Sequence, residues 1–153
     1  MISPLFWRAL LAFLLLPGMV ALVIPGLLLK PDGGRVHLVG LVPLALGAII
    51  LLRCVRDFYV AGRGTLAPWA PPKNLVIVGL YRYSRNPMYV GVLLMLAGWA
   101  LAYQTRGLTI YALTMAVVFH LRVVFFEEPW LAEAHGEQWT RYRAGVPRWL
   151  LRR

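Results

Sequence analysis

Residues 79–103 read GLYRYSRNPMYVGVLLMLAGWALAY, and the character of the chain changes at Pro87. Ahead of the proline stand Tyr81, Arg82, Tyr83, Arg85 and an Asn-Pro pair; behind it the chain reaches Tyr103 without meeting Asp, Glu, Lys or Arg. An uncharged run of that length approaches the ~20 residues that carry a helix across a bilayer. Pro87 suits the first turn of such a helix, where its missing N–H costs nothing, and Asn86 is then placed as the N-cap. Three further runs behave alike: Ala9 to Leu29, Val36 to Leu52, and Gly107 to Leu121, the last continuing past Arg122 to Phe126. Across 153 residues, 60% are hydrophobic and 14% charged, more apolar than a soluble core of this size requires. The expected fold is an all-α integral membrane protein, a single domain over 1–153 with four transmembrane helices at about 5–29, 36–58, 87–104 and 107–127.

The first run is too long for the core of a signal peptide and no small-residue cleavage pattern follows it, so it is expected to stay as a helix. Pro17 and Pro25 interrupt it and Pro43 interrupts the second run, which a membrane helix tolerates when neighbours satisfy the freed carbonyls. Lys and Arg gather on two connections: Arg53, Arg56, Arg63, Lys73, Arg82 and Arg85 between the second and third spans, and Arg141, Arg143, Arg148, Arg152 and Arg153 after the fourth. Lys30 and Arg35 flank the first connection, and Arg106 marks the third. The positive-inside rule then sets both termini, the loop 61–86 and the tail 128–153 in the cytoplasm.

The net charge of +10 sits beside apolar helix ends rather than on one soluble face. Anionic lipid headgroups are therefore the expected partner, not nucleic acid, and no obligate protein partner is evident. One cysteine, Cys54, excludes an intramolecular disulfide and a multi-cysteine zinc site; its expected role is packing, and no metal site is expected.

The loop AGRGTLAPWAPPKNLVIVG, residues 61–79, holds Gly62, Gly64, Pro68, Pro71 and Pro72 and reads as ordered irregular structure, with Trp69, Leu75, Val76 and Ile77 arguing against disorder. Its length points to function. The tail EEPWLAEAHGEQWTRYRAG, residues 127–145, sets Trp130, Leu131, Ala134, Trp139 and Tyr142 among charges, a spacing that suits an amphipathic helix at the interface or folded back over the spans, punctuated by Gly136 and Gly145.

Several residues stand where polar groups are costly. Glu127 and Glu128 end the fourth apolar run, where they either mark a solvated helix end or meet a cation or the hydroxyls of a polar ligand. His120 lies seven residues before Glu127, two turns of a regular helix, and so shares its face; it either serves an acceptor or bonds a neighbouring helix. Arg122 reads as a snorkelling side chain that reaches the headgroups. The free amides at the start of the third helix, with Arg85, make a site that accepts an anionic group. No Walker loop, GxGxxG, HExxH or GxSxG occurs, which leaves nucleotide hydrolysis, a Rossmann cofactor site, zinc proteolysis and serine hydrolysis without support.

Taken together, LVIVGLYRYSRNPMYVG (75–91), FFEEPWL (125–131), GEQWTRY (136–142) and VPRWL (146–150) resemble the integral-membrane methyltransferases that include isoprenylcysteine carboxyl methyltransferase and phospholipid N-methyltransferase. The resemblance covers about the second half of the chain. It implies a membrane enzyme that binds S-adenosylmethionine without a Rossmann fold and releases S-adenosylhomocysteine. By position, Asn74, Leu75, Val76 and Tyr81 are then loop residues against the cofactor, and Asn86, Pro87, Met88 and Tyr89 its wall at the helix start. Glu127 and Glu128 match the glutamate pair that contacts it, and the carboxylates suit the donor's ammonium or ribose hydroxyls as Arg85 suits its carboxylate.

The acceptor expected on this reading is a membrane lipid, with a phospholipid or other lipid amine favoured and His120 or Glu128 available to help it lose a proton. The prenylcysteine enzymes hold a substrate carboxylate with an arginine one turn before the glutamate pair; Val123 stands there in this chain, and on a regular helix Arg122 points about 100° away. Carboxyl methylation of an isoprenylcysteine-like substrate and a non-catalytic lipid-binding subunit are the competing readings.

Overall fold

The computed structural model describes residues 14–29, 36–61 and 74–150, and every regular element among them is helical. Helix α1 joins a π-helical segment, Leu14–Val23, to an α-helical turn, Ile24–Leu28. A 3-10 turn, Leu38–Gly40, leads into α2, Leu41–Val60, and another, Gly79–Arg82, precedes α3, Pro87–Tyr103. Helix α4, Arg106–Arg122, passes through a π-helical turn, Val123–Glu127, into α5, Glu128–Gly145. Two of these helices, Leu38–Val60 and Arg106–Gly145, are long and apolar enough to cross a membrane; Pro17–Leu28 and Pro87–Tyr103 are apolar but shorter. The start of the expected first span, residues 62–73 of the 61–86 loop with Trp69, and Arg152 and Arg153 lie outside the described residues.

Helix α1 shows how a proline-broken apolar helix is kept whole. Pro25 brings no N–H to the ladder, so carbonyls one turn earlier lose a partner. Trp99 Nε1 donates to Ala21 O at 2.9 Å and the Tyr111 hydroxyl donates to Val20 O at 3.1 Å, from α3 and α4 respectively. Neighbouring helices thus supply the bonds that the bilayer cannot. Pro43, expected to interrupt the second span, instead occupies the first turn of α2, where it breaks nothing.

The core forms where α2 crosses α3. Gly47 and Gly91 face each other there, and a Cβ on Gly47 would strike the Gly91 carbonyl. Such contact between backbones is how membrane helices gain packing without a hydrophobic driving force. Leu51, Val92, Met95, Leu96 and Phe119 fill in around it with Ala21. The hairpin from α3 to α4 turns at Gln104, which adopts a left-handed conformation (φ 52°), and Thr105 then caps α4 by accepting from Leu108 N. Outer faces carry apolar side chains, with Leu38, Val42, Ile49, Ile110, Leu113, Val117 and Phe126 all exposed. That is the arrangement expected of helices solvated by lipid.

Candidate active site

A second buried cluster, Cys54, Val76 and Tyr81, lies at the end of α2 with Phe58 and Met88 packed on it. Cys54 is a packing residue here, as its solitary occurrence implies. The segment entering this cluster turns at Gly79, whose φ of +57° and close approach to the Asp57 carboxylate leave no room for a side chain. Phe58 and Tyr81 meet with ring centroids 5.5 Å apart. Above them opens a cavity of about 100 Å³.

Its near wall is Asn74, Leu75 and Val76 from the loop, Tyr81 from the 3-10 turn, Arg85 and Asn86 just before α3, and Met88 and Tyr89 from its first turn; Glu127 comes from the π turn. Nine residues expected at a cofactor therefore converge on one space. Pro87 is buried behind that wall at the first position of α3 and does not line the cavity. The far wall comes from the tail, which the resemblance implies as part of the donor site without naming its residues: Leu131, His135, Trp139 and Tyr142 reach it from α5, which folds back beside the loop. Sequence reading recognised the apolar spacing of this helix but had no means of aiming it. Its bend is at Gly136, with φ 47° and ψ −117°.

Glu128, expected to face the cofactor, does not line the cavity. Arg148 Nε and Nη2 donate to its two oxygens at 2.7 and 2.9 Å, and Arg85 Nη1 lies 2.9 Å from Oε1. Burial raises its pKa, but the Arg148 hydrogen bonds and the two guanidinium charges outweigh that and hold the carboxyl below its ordinary range. The hydrogen bond to Glu128 likewise holds Arg148 up. A carboxylate so committed is a poor proton acceptor, which removes the expected role of Glu128 as a base.

Arg85 is 9% exposed at its side chain and stacks on Trp139, with Cζ 5.5 Å from the ring centroid. Its Nε and the Trp139 indole N–H are buried without a hydrogen-bond acceptor among the described residues, and its Nη1 meets Glu128 only as an ion pair lacking hydrogen-bond alignment. Burial pulls the Arg85 pKa down against the Glu128 charge, although a guanidinium stays protonated regardless. Opposite, the buried Tyr142 hydroxyl donates to Tyr81 O at 2.6 Å; its own pKa is pushed up to about 12 by burial, with Arg85 pulling the other way.

The chain after α5 returns across the start of α3. Arg85 N donates to Pro147 O at 2.9 Å, and Asn86 Nδ2 and Ser84 Oγ donate to Arg148 O at 3.0 and 3.4 Å. Asn86 occupies the N-cap position, yet its side chain makes no cap hydrogen bond because it is spent on this strap. Ser84 Oγ accepts from the Asn86 amide instead.

The π turn alters the two expectations drawn from a regular helix. Its wider closure carries a hydrogen bond from Glu128 N to Val123 O, five residues apart, and inserts one residue into the helical phase. Val123 turns into the core at 1% exposure, and Arg122 comes round to Glu127. Arg122 Nε donates to Glu127 Oε1 at 2.9 Å and to the Tyr89 hydroxyl at 3.2 Å, while the Tyr89 hydroxyl also donates to Glu127. Arg122 thus joins the cavity wall's outer side rather than pointing away from it.

For the same reason His120 loses the face of Glu127. It is exposed outside the cavity, where Trp149 Nε1 donates to its Nδ1 at 3.3 Å.

A family model described as phospholipid methyltransferase matches residues 36–138, which run from the entry to α2 to just past the bend of α5 and stop short of Trp139 and Tyr142. Neither the curated proteins nor the solved structures gave a match.

Proposed function

The chain belongs to the phospholipid methyltransferase family, and from that premise we propose that it transfers a methyl group from S-adenosylmethionine to an amine-bearing lipid dissolved in the membrane. In this reading the domain has four spans, at about 5–29, 36–58, 87–104 and 107–127, with the cavity, both termini and the tail on the cytoplasmic side. The basic residues of the loop and tail support that orientation.

One observation carries the assignment of the cofactor: a cavity lined by a carboxylate, Glu127, and by two residues, Arg85 and Trp139, whose Nε and Nε1 are buried without acceptors among the described residues. Unsatisfied buried donors are costly and point to a missing acceptor. S-adenosylmethionine has the complementary groups, a carboxylate for the donors and ribose hydroxyls and an ammonium for Glu127. Phe58 and Tyr81 offer aromatic surface to its base. At about 100 Å³ the cavity admits part of such a ligand, so binding must widen it toward the 300–1,000 Å³ usual for ligand sites.

When bound, the cofactor supplies an electrophilic methyl group on a sulfonium. The protein's contribution is placement and the exclusion of water, for which effective molarity is worth about 7–11 kcal/mol. Glu128 is a positioning residue that fixes Arg85. Neither Glu128 nor His120 reaches the cavity, so neither is given the proton of the lipid amine.

Isothermal calorimetry of the purified protein with S-adenosylhomocysteine tests the reading. Binding is expected, weakened about tenfold or more in Glu127→Gln by loss of a charged hydrogen-bond partner. No binding by the intact protein overturns it. Incubation with labelled donor and a membrane-lipid extract, followed by mass identification of the labelled product, then names the acceptor.

A further inference from the structure

Arg122 is 54% exposed at its side chain on the outer side of the helix, where Val118, Leu121, Phe125 and Phe126 are also exposed. A guanidinium set among lipid-facing apolar residues is expensive unless an anion or an aqueous pocket meets it. Its Nε is engaged by Tyr89 and Glu127, and neither Nη atom meets an acceptor among the described residues. The π turn is what brings it there, and such turns are frequent at functional sites. Arg122 and Glu127 therefore make an ordered pair of opposite charges, the cation turned to the lipid and the anion lining the cavity.

An aminophospholipid headgroup has the matching order, a phosphodiester next to the chains and an amine beyond it. We propose that Arg122 is the acceptor-binding arm of the site: its outward nitrogens take the phosphodiester of a membrane phospholipid and so present the amine to the cavity beside Tyr89 and Glu127. The flat guanidinium suits two oxygens of one phosphate. A lipid carboxylate satisfies Arg122 equally but brings no cation for Glu127. This inference gives the acceptor site of the methyl transfer proposed above and rests on that reading for its meaning, though not for its test.

The full chain in detergent is loaded with phosphatidylethanolamine or with a phosphate-free amino lipid of the same chains, and the retained lipid is measured by native mass spectrometry. Wild type is expected to retain phosphatidylethanolamine about ten- to a hundredfold better, the loss expected when a charged hydrogen bond goes unmade. Arg122→Met should erase the preference and Arg122→Lys keep part of it. Donor-product affinity should change less than about fivefold in Arg122→Met, because the pair with Glu127 is exposed. Arg122→Gln with a thermal melt replaces the methionine variant if that one does not fold.

A preference that survives loss of Arg122, or is absent in wild type, overturns the proposal and leaves Arg122 a nonspecific headgroup anchor. Preferential displacement of phosphatidylethanolamine by a prenylcysteine free acid also overturns it, in favour of a carboxylate acceptor. Absence of S-adenosylhomocysteine binding with the lipid preference intact sinks the methyltransferase reading alone.

Discussion

Glu127 and Glu128 are the same residue twice, one peptide bond apart, and they do opposite things. Glu128 has 10% of its side chain exposed and lies between Arg85, which precedes α3, and Arg148, in the strap after α5. Glu127 has 31% exposed, lines the cavity and shares one oxygen between Arg122 and Tyr89. The π turn ends between them, so one carboxylate faces the packed end of the molecule and the other the open side. Residue type alone announces only that two charges end an apolar helix. The phase of the backbone decides which becomes scaffold and which becomes chemical surface.

Removing the scaffold carboxylate should have the largest effect. Glu128→Ala leaves Arg85 buried without its counter-charge, a change that costs about 3–5 kcal/mol for a buried pair, and is expected to lower the melting temperature in detergent well below that of any Glu127 variant. Equal destabilisation by Glu127→Ala would erase the distinction between them. Glu127→Gln should instead spare stability to within about 1 kcal/mol, as for exposed pairs, while weakening S-adenosylhomocysteine binding in calorimetry.

The contrast can also be drawn with acid. Because the folded-state pKa of Glu128 is depressed below its ordinary value, its stabilising contribution is fully present above the ordinary carboxylate range and is lost as pH falls through the folded value. Melting curves of wild type and Glu128→Gln should therefore converge on acidification. A gap that stays constant across that range counts against the ion cluster as the source of stability.

Smaller still is Asn86→Ala, which deletes one bond to the strap and should cost about 1 kcal/mol by melting. His120→Ala should change turnover least, by less than about twofold, since its hydrogen bond is exposed and long. A tenfold drop in turnover at unchanged donor affinity would return His120 to the acceptor.

Much of this site was readable because it is local. Uncharged length and the Asn-Pro junction set the start of α3 at Pro87 and its end to within a residue, while Asn74–Val76, Tyr81 and Tyr89 were placed beside it by the family resemblance. What was not readable depends on backbone geometry or on contacts distant in sequence. Val123–Glu127 contains nothing that distinguishes a π turn from an α turn, so the phases of His120, Arg122 and Val123 were all taken from a regular helix. Trp139 and Tyr142 were visible as apolar members of a tail helix, but their arrival in the cavity depends on where α5 bends. The strap was invisible for a simpler reason: Pro147 and Arg148 hold the site with carbonyl oxygens, which every residue possesses.

That strap sets an order of events during synthesis. Arg85 and Asn86 are made early, yet the oxygens that fix them lie 62 residues later in the chain. A nascent chain can insert α3 and α4 and still have only an unfinished wall, with Arg85 waiting for both Glu128 and Pro147. The wall therefore closes only once Pro147 and Arg148 have been made, however early the helices beneath it are in place.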